Sequence, residues 1–149
     1  MSGPLLLCFD GSESAENAIR SAGRLFPGSE AIVLSVAVPA ADAFPLDPVG
    51  DLVGRVTGIY REMDEVGSEL AQRQAADGCR VAGEAGLQAR AMTLEGRAVD
   101  SILRAAADCG ASLIVVGDPT SGTLAGMLGR VSAGVINGAH TPVLLVPLR

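Results

Sequence analysis

The sequence predicts an α/β fold: a doubly wound, five-stranded parallel sheet with helices on both faces. Three observations predict it. Short apolar runs rich in β-branched residues alternate with longer amphipathic stretches in the order β-α-β-α-β-α-β-α-β. Leu5–Phe9 and Leu113–Val116 are apolar at every position, the pattern of parallel strands covered on both faces. Glycine- or proline-containing turns separate the elements, and right-handed crossovers then bring the strands into one parallel sheet.

Taken in order, the first strand ends in Asp10-Gly11-Ser12, with Ser12 as helix N-cap and Glu13 and Glu16 near the positive end of the helix dipole. Ala15, Ala18, Ile19, Ala22 and Phe26 follow helical spacing until Pro27-Gly28 stops the run. Ala31–Val38 is the second strand. The proline-rich residues 39–50 read as a loop, and a long helical stretch over 53–85 follows, interrupted by glycines, with Met63, Val66, Leu70 and Gln74 as its inward stripe. Leu87–Leu94 alternates as a third strand, and Val99, Ile102, Leu103 and Ala106 mark one face of the next helix. The fourth strand, Leu113–Val116, runs into a glycine-rich loop and a helix over 131–139, and Val143–Val146 closes the sheet.

A chain of 149 residues with 48% hydrophobic residues and a mean hydropathy of +0.37 is expected to form one domain, spanning residues 1–149. All eleven basic residues are arginine, so neither a lysine Schiff base nor a phosphate-loop lysine is available. A net charge of −6 and four aromatic residues without tryptophan argue against nucleic acid as a partner. Cys8, Cys79 and Cys109 are widely spaced and odd in number, which fits reduced thiols and a cytoplasmic setting; no apolar run has the length of a membrane span. A single histidine, no cysteine cluster and no G-x-S-x-G elbow argue against a metal site and a catalytic triad.

In a doubly wound sheet, ligands bind beyond the carboxyl ends of the strands, where the strand order reverses. Asp10, Val36–Val38, Thr93 and Gly117 stand at those ends. The stretch 113–132, LIVVGDPTSGTLAGMLGRVS, joins a strand, a glycine-rich turn and a helix start, the parts of a phosphate cradle.

The segments LLLCFDGSESAENAI, IVLSVAVP, LEGRAVDSILRAAADCGASLIVVG and LAGMLGRVSAGVINGAHTPVLLVP resemble, in this order and over nearly the whole chain, the universal stress protein family. The resemblance implies a Rossmann-like sheet of strand order 3-2-1-4-5, a homodimer formed through the last strand, and binding of ATP or AMP, with Mg²⁺ only alongside ATP. Nucleotide-binding members share the pattern G-x2-G-x9-G-[ST]. Gly117 matches its first glycine, Thr120 stands at the second, and Gly129-Arg130 stand where the family has Gly-Ser or Gly-Thr, with the intervening loop one residue shorter. By the same resemblance, Asp10 lies beside the ribose or a metal, and the Val36 backbone meets the adenine. Arg130, whose guanidinium forks onto phosphate oxygens, and Ser132 are further phosphate donors. The expectation is a cytoplasmic stress-response protein that binds an adenine nucleotide and signals through dimerisation or partners. The alternative is a dimeric interaction module without nucleotide. One acid and one arginine are thin equipment for phosphoryl transfer, and no catalytic residue is assigned.

Overall fold

Strand β1 (Leu5–Cys8) is the strand around which the others assemble, because Leu5, Leu6 and Leu7 are all at most 1% exposed. A strand buried on both faces needs a neighbour on each edge and a helix layer above and below. In the computed structural model, which describes residues 2–43, 47–119 and 129–148, β1 has all four. β2 (Glu30–Ala37) and β4 (Leu113–Asp118) flank it in parallel, with Leu6 opposite Ile32 on one side and Ile114 on the other. β3 (Gln88–Glu95) pairs outside β2, and β5 (Val143–Pro147) outside β4. The order β3-β2-β1-β4-β5 is the Rossmann-like doubly wound arrangement of the expectation.

Strand alternation divides the interior into two cores. Leu5, Leu7, Ala31 and Val33 pack beneath α1 (Glu13–Leu25) and α4 (Ile59–Glu84), against Ala18, Ile19, Ala22, Val81 and Ala82. Leu6, Ile32, Leu34 and Ile114 face the other way, toward Ile102, Ala105 and Ala106 of α5 (Ala98–Asp108) and Val135 of α6 (Arg130–Gly138). The helices meet the sheet largely through small residues. A Cβ on Gly78 of α4 would lie 2.9 Å from the Phe9 ring and run into Val33, so this helix rides close to β2.

Three sequence expectations are corrected here. The stretch 39–50 is not all loop: α2 (Ala40–Ala43) opens it, and α3 (Pro48–Val56) begins inside it, with Asp47 as N-cap accepting from the Gly50 amide at 2.6 Å and Pro48 in the first turn. Residues 44–46 lie outside the described residues. The interruption expected in the helical stretch over 53–85 is found at Thr57-Gly58, where Gly58 takes φ +77° and separates α3 from α4. The glycines within α4 do not interrupt it, since burial against the sheet outweighs their low propensity. Finally, Met63, Val66 and Leu70 face outward. The inward face is Ala71, Ala75, Gly78, Val81 and Ala82, because a helix so near a strand has room only for small side chains along most of its contact.

Two glycines of α4 are therefore expected to respond oppositely to a methyl group. Gly78→Ala lowers stability by about 1–3 kcal/mol through overpacking against Phe9 and Val33. Gly83→Ala, whose Cβ meets nothing within 4 Å, raises it by about 0.5–1 kcal/mol. Urea unfolding of the two variants beside the wild type measures both shifts.

Candidate functional site

The order of the sheet reverses between β1 and β4, so the crevice beyond their carboxyl ends is the natural binding place. A cleft of about 370 Å³ lies there. Leu34, Val36, Ile102 and Val131 give it apolar surface, and Asp10, Ser12, Ser14 and Ser132 contribute polar groups.

Asp10 stands two residues beyond β1. Its Oδ1 accepts the Ser12 amide at 3.0 Å, and its carbonyl accepts from Gln74 Nε2 at 2.9 Å, which ties the turn to α4. The exposed carboxylate thus serves the turn while lining the cleft. Ser12 in turn caps α1, its Oγ accepting from the Ala15 amide at 3.2 Å. The positive end of α1 is closed by its own side chain.

The opposite wall is built differently. Gly117 must be glycine for packing reasons, because a Cβ there would collide with the Ser14 carbonyl in the first turn of α1. Ser132 is 3% exposed, and its Oγ donates to the Gly117 carbonyl at 3.1 Å, pinning the first turn of α6 to the end of β4. A hydroxyl has one proton, and this one is committed. Gly129 is the N-cap of α6 and supplies no side-chain cap. The first intrahelical bond runs from the Ala133 amide to the Gly129 carbonyl at 2.9 Å, so the amides of Arg130, Val131 and Ser132 precede it. Such a helix start attracts an anion.

Of the residues singled out from the sequence, Asp10, Val36, Gly117, Gly129 and Ser132 line this one cleft. Arg130 is exposed and opens α6 without being part of the cleft wall. Thr120 lies outside the described residues. Sequence reasoning missed Cys8, Leu34 and Ile102, which also line the cleft. Strand parity carried the signal for the first two: Cys8 shares the side of Leu6, and Leu34 that of Val36. Among the described residues, no group of three or more His, Cys, Asp or Glu side chains is placed to hold a metal ion.

Residues 1–147 match the model of the Universal stress protein family. No curated protein matches the chain. Among solved structures it is similar to the hypothetical protein MJ0577, with a TM-score of 0.76 and 22% identity over 100% of this chain and 98% of that one. It is also similar to a universal stress protein in complex with cAMP (TM-score 0.66, 23% identity, 97% and 96% covered). A third is the universal stress protein from Archaeoglobus fulgidus in complex with dAMP (TM-score 0.63, 19% identity, 97% of each chain). At these identities the likeness is one of fold.

One group at the cleft has a displaced titration. Burial, reinforced by the Asp10 carboxylate, pushes the Cys8 thiol up to about 12. The thiol stays protonated in the folded chain where the unfolded chain ionises from about pH 9, so the native state holds more protons and loses stability as pH rises from there toward 12. Cys8→Ala is expected to flatten that decline. Denaturant unfolding of both proteins across this alkaline range checks it, and equal slopes would count against the buried thiol as the cause.

Proposed function

The chain belongs to the universal stress protein family, and from that premise we propose that it binds an adenine nucleotide in the cleft between β1, β4 and α6. The observation that carries the reading is the pairing, within one cleft of about 370 Å³, of an apolar wall with a helix start whose N-cap, Gly129, brings no side chain. Leu34, Val36 and Ile102 offer a flat purine the surface it needs, and the α6 amides offer a phosphate its donors. The volume falls in the range of ordinary small-molecule sites, roughly 300–1,000 Å³. Arg130, exposed at the start of α6, is within the same turn as those amides and supplies a guanidinium beside them. The structural neighbours in complex with cAMP and dAMP support the choice of adenine.

The protein acts by binding rather than by turnover in this reading: one acid and one arginine do not make a phosphoryl-transfer site. Mg²⁺ enters only with ATP, with Asp10 as the carboxylate at the cleft. The stress-response role follows from the family. Occupancy is relayed through protein contacts, including a homodimer formed along β5, an edge strand whose Val143, Leu144 and Leu145 are only half-buried. No described helix is long and apolar enough to cross a membrane, and a cytoplasmic setting is part of the proposal.

A second reading has one observation in its favour. The family pattern places a hydroxyl residue where Arg130 stands, and the nearby Ser132 hydroxyl is tied to Gly117. In that reading the cleft is a remnant and the chain is a dimeric interaction module.

Isothermal titration with AMP, cAMP and ATP, with and without Mg²⁺, separates the two. Heat with at least one nucleotide supports the first; none at millimolar ligand, together with no thermal shift, leaves the second. Arg130→Ala is expected to weaken ATP more than AMP. The loss of a charge-assisted hydrogen bond, roughly 1.5–3 kcal/mol, corresponds to about 10- to 150-fold in affinity. Equal losses for the two nucleotides would remove Arg130 from the polyphosphate contact.

A further inference from the structure

Eight of the twelve large hydrophobic side chains left exposed among the described residues belong to α3 and α4. On α4 they are Ile59, Met63, Val66 and Leu70, spaced by three and four residues along one face; on α3, Val49 and Val56 are 71% and 78% exposed. α3 ends at Val56 and α4 begins at Ile59, so the two series meet at the turn. At 37–78% exposure each, the eight side chains present on the order of 800 Å² of apolar surface, the share each partner contributes to a standard protein interface. A monomer ordinarily leaves a largest patch of roughly 300–600 Å².

The face has relief as well as area. Gly67 lies in the interior of α4, where glycine costs about 1 kcal/mol relative to alanine. Among the described residues, nothing beyond its own helical turn comes within 4 Å of where a Cβ would sit, so the packing seen there does not require a glycine. It lies in the wall of an open hollow of about 490 Å³ shared with Val38, Ala40, Met63 and Val66, with Glu62 also at its wall. One part of the face protrudes and another recedes. That is what an isologous interface needs, since in a two-fold pair the prominence of each copy must meet the recess of the other.

Some of the charges beside the face are engaged within the chain, while Glu62 stands exposed at the wall of the hollow. Arg55 pairs with Asp51 at 2.8 Å and Arg73 with Glu69 at 3.9 Å, while Asp64 accepts the Ala40 amide at 2.8 Å. We propose that the outward face of α3 and α4 pairs with the same face of a second copy of this chain, with Val56 of α3 directed toward the hollow beside Gly67. α4 packs on β2 and β3, away from β5, so this contact leaves the β5 edge free.

Light scattering during size-exclusion chromatography tests it on the wild type, Val56→Glu and Gly67→Leu. Both substitutions are expected to halve the wild-type mass. Gly67→Leu replaces a helix-weakening residue with a strong helix former, so it loses the partner while keeping or raising its thermal midpoint; circular dichroism separates this from unfolding. A tetramer falling to dimers in both variants supports this contact beside a β5 pair. A dimer falling to monomers supports this contact and displaces the β5 pair. A wild-type monomer, or an unchanged mass in either variant, overturns the proposal, and a dimer unchanged in both leaves β5 as the interface.

Discussion

How closely a helix can approach a strand governs this molecule. Gly78 lets α4 settle onto Val33 and Phe9, and Gly117 lets the first turn of α1 lie over the end of β4, where any side chain would meet the Ser14 carbonyl. Alanines carry much of the remaining helix–sheet contact. Interiors are close-packed, so a layer brought in by the width of a methyl group moves everything attached to it. The cleft takes its shape from the same constraint. Its two sides are the turn that launches α1, held by the Ser12 amide on Asp10, and the start of α6, held by Ser132 on the end of β4 at Gly117.

The two helix starts facing the crevice are not equivalent. α1 has its Ala15 amide capped by Ser12 and begins with Glu13 and Glu16, which offset its own dipole. α6 has a glycine N-cap and no acid in its first turn. Among the described residues, an anion entering the crevice meets acids at the start of α1 and none in the first turn of α6. In the proposed reading this asymmetry would turn the phosphate of a nucleotide toward α6 and leave the Leu34–Val36 side of the cleft for the base.

Most of the sheet was legible in the sequence because a strand covered on both faces leaves an uninterrupted apolar run, as 5–9 and 113–116 do. The strand order came from resemblance rather than from periodicity, which says nothing about order. The helix excursion after β2 misled for a physical reason. Met63, Val66 and Leu70 have the spacing of a core stripe, and spacing records that a face is apolar without recording what covers it. The inward face, made of alanine and glycine, carries almost no hydropathy contrast. At the site, strand ends pointed to Asp10, Val36 and Gly117. The Ser132–Gly117 bond was invisible because it joins residues fifteen apart that only the fold brings together, and Cys8 was read only as a reduced thiol although its parity places it on the cleft side.

The central position of β1 also sets a timetable for folding. Its pairing with β2 closes over one helix, but its other edge waits for β4, where Leu6 meets Ile114. During synthesis the most apolar strand of the protein therefore stays half-paired until most of the chain has been made. Until then an open edge of Leu5–Leu6–Leu7 is available to any other unpaired strand nearby. Long-range parallel pairing of this kind is slow, and its exposure to aggregation is greatest in the nascent chain rather than in the finished fold.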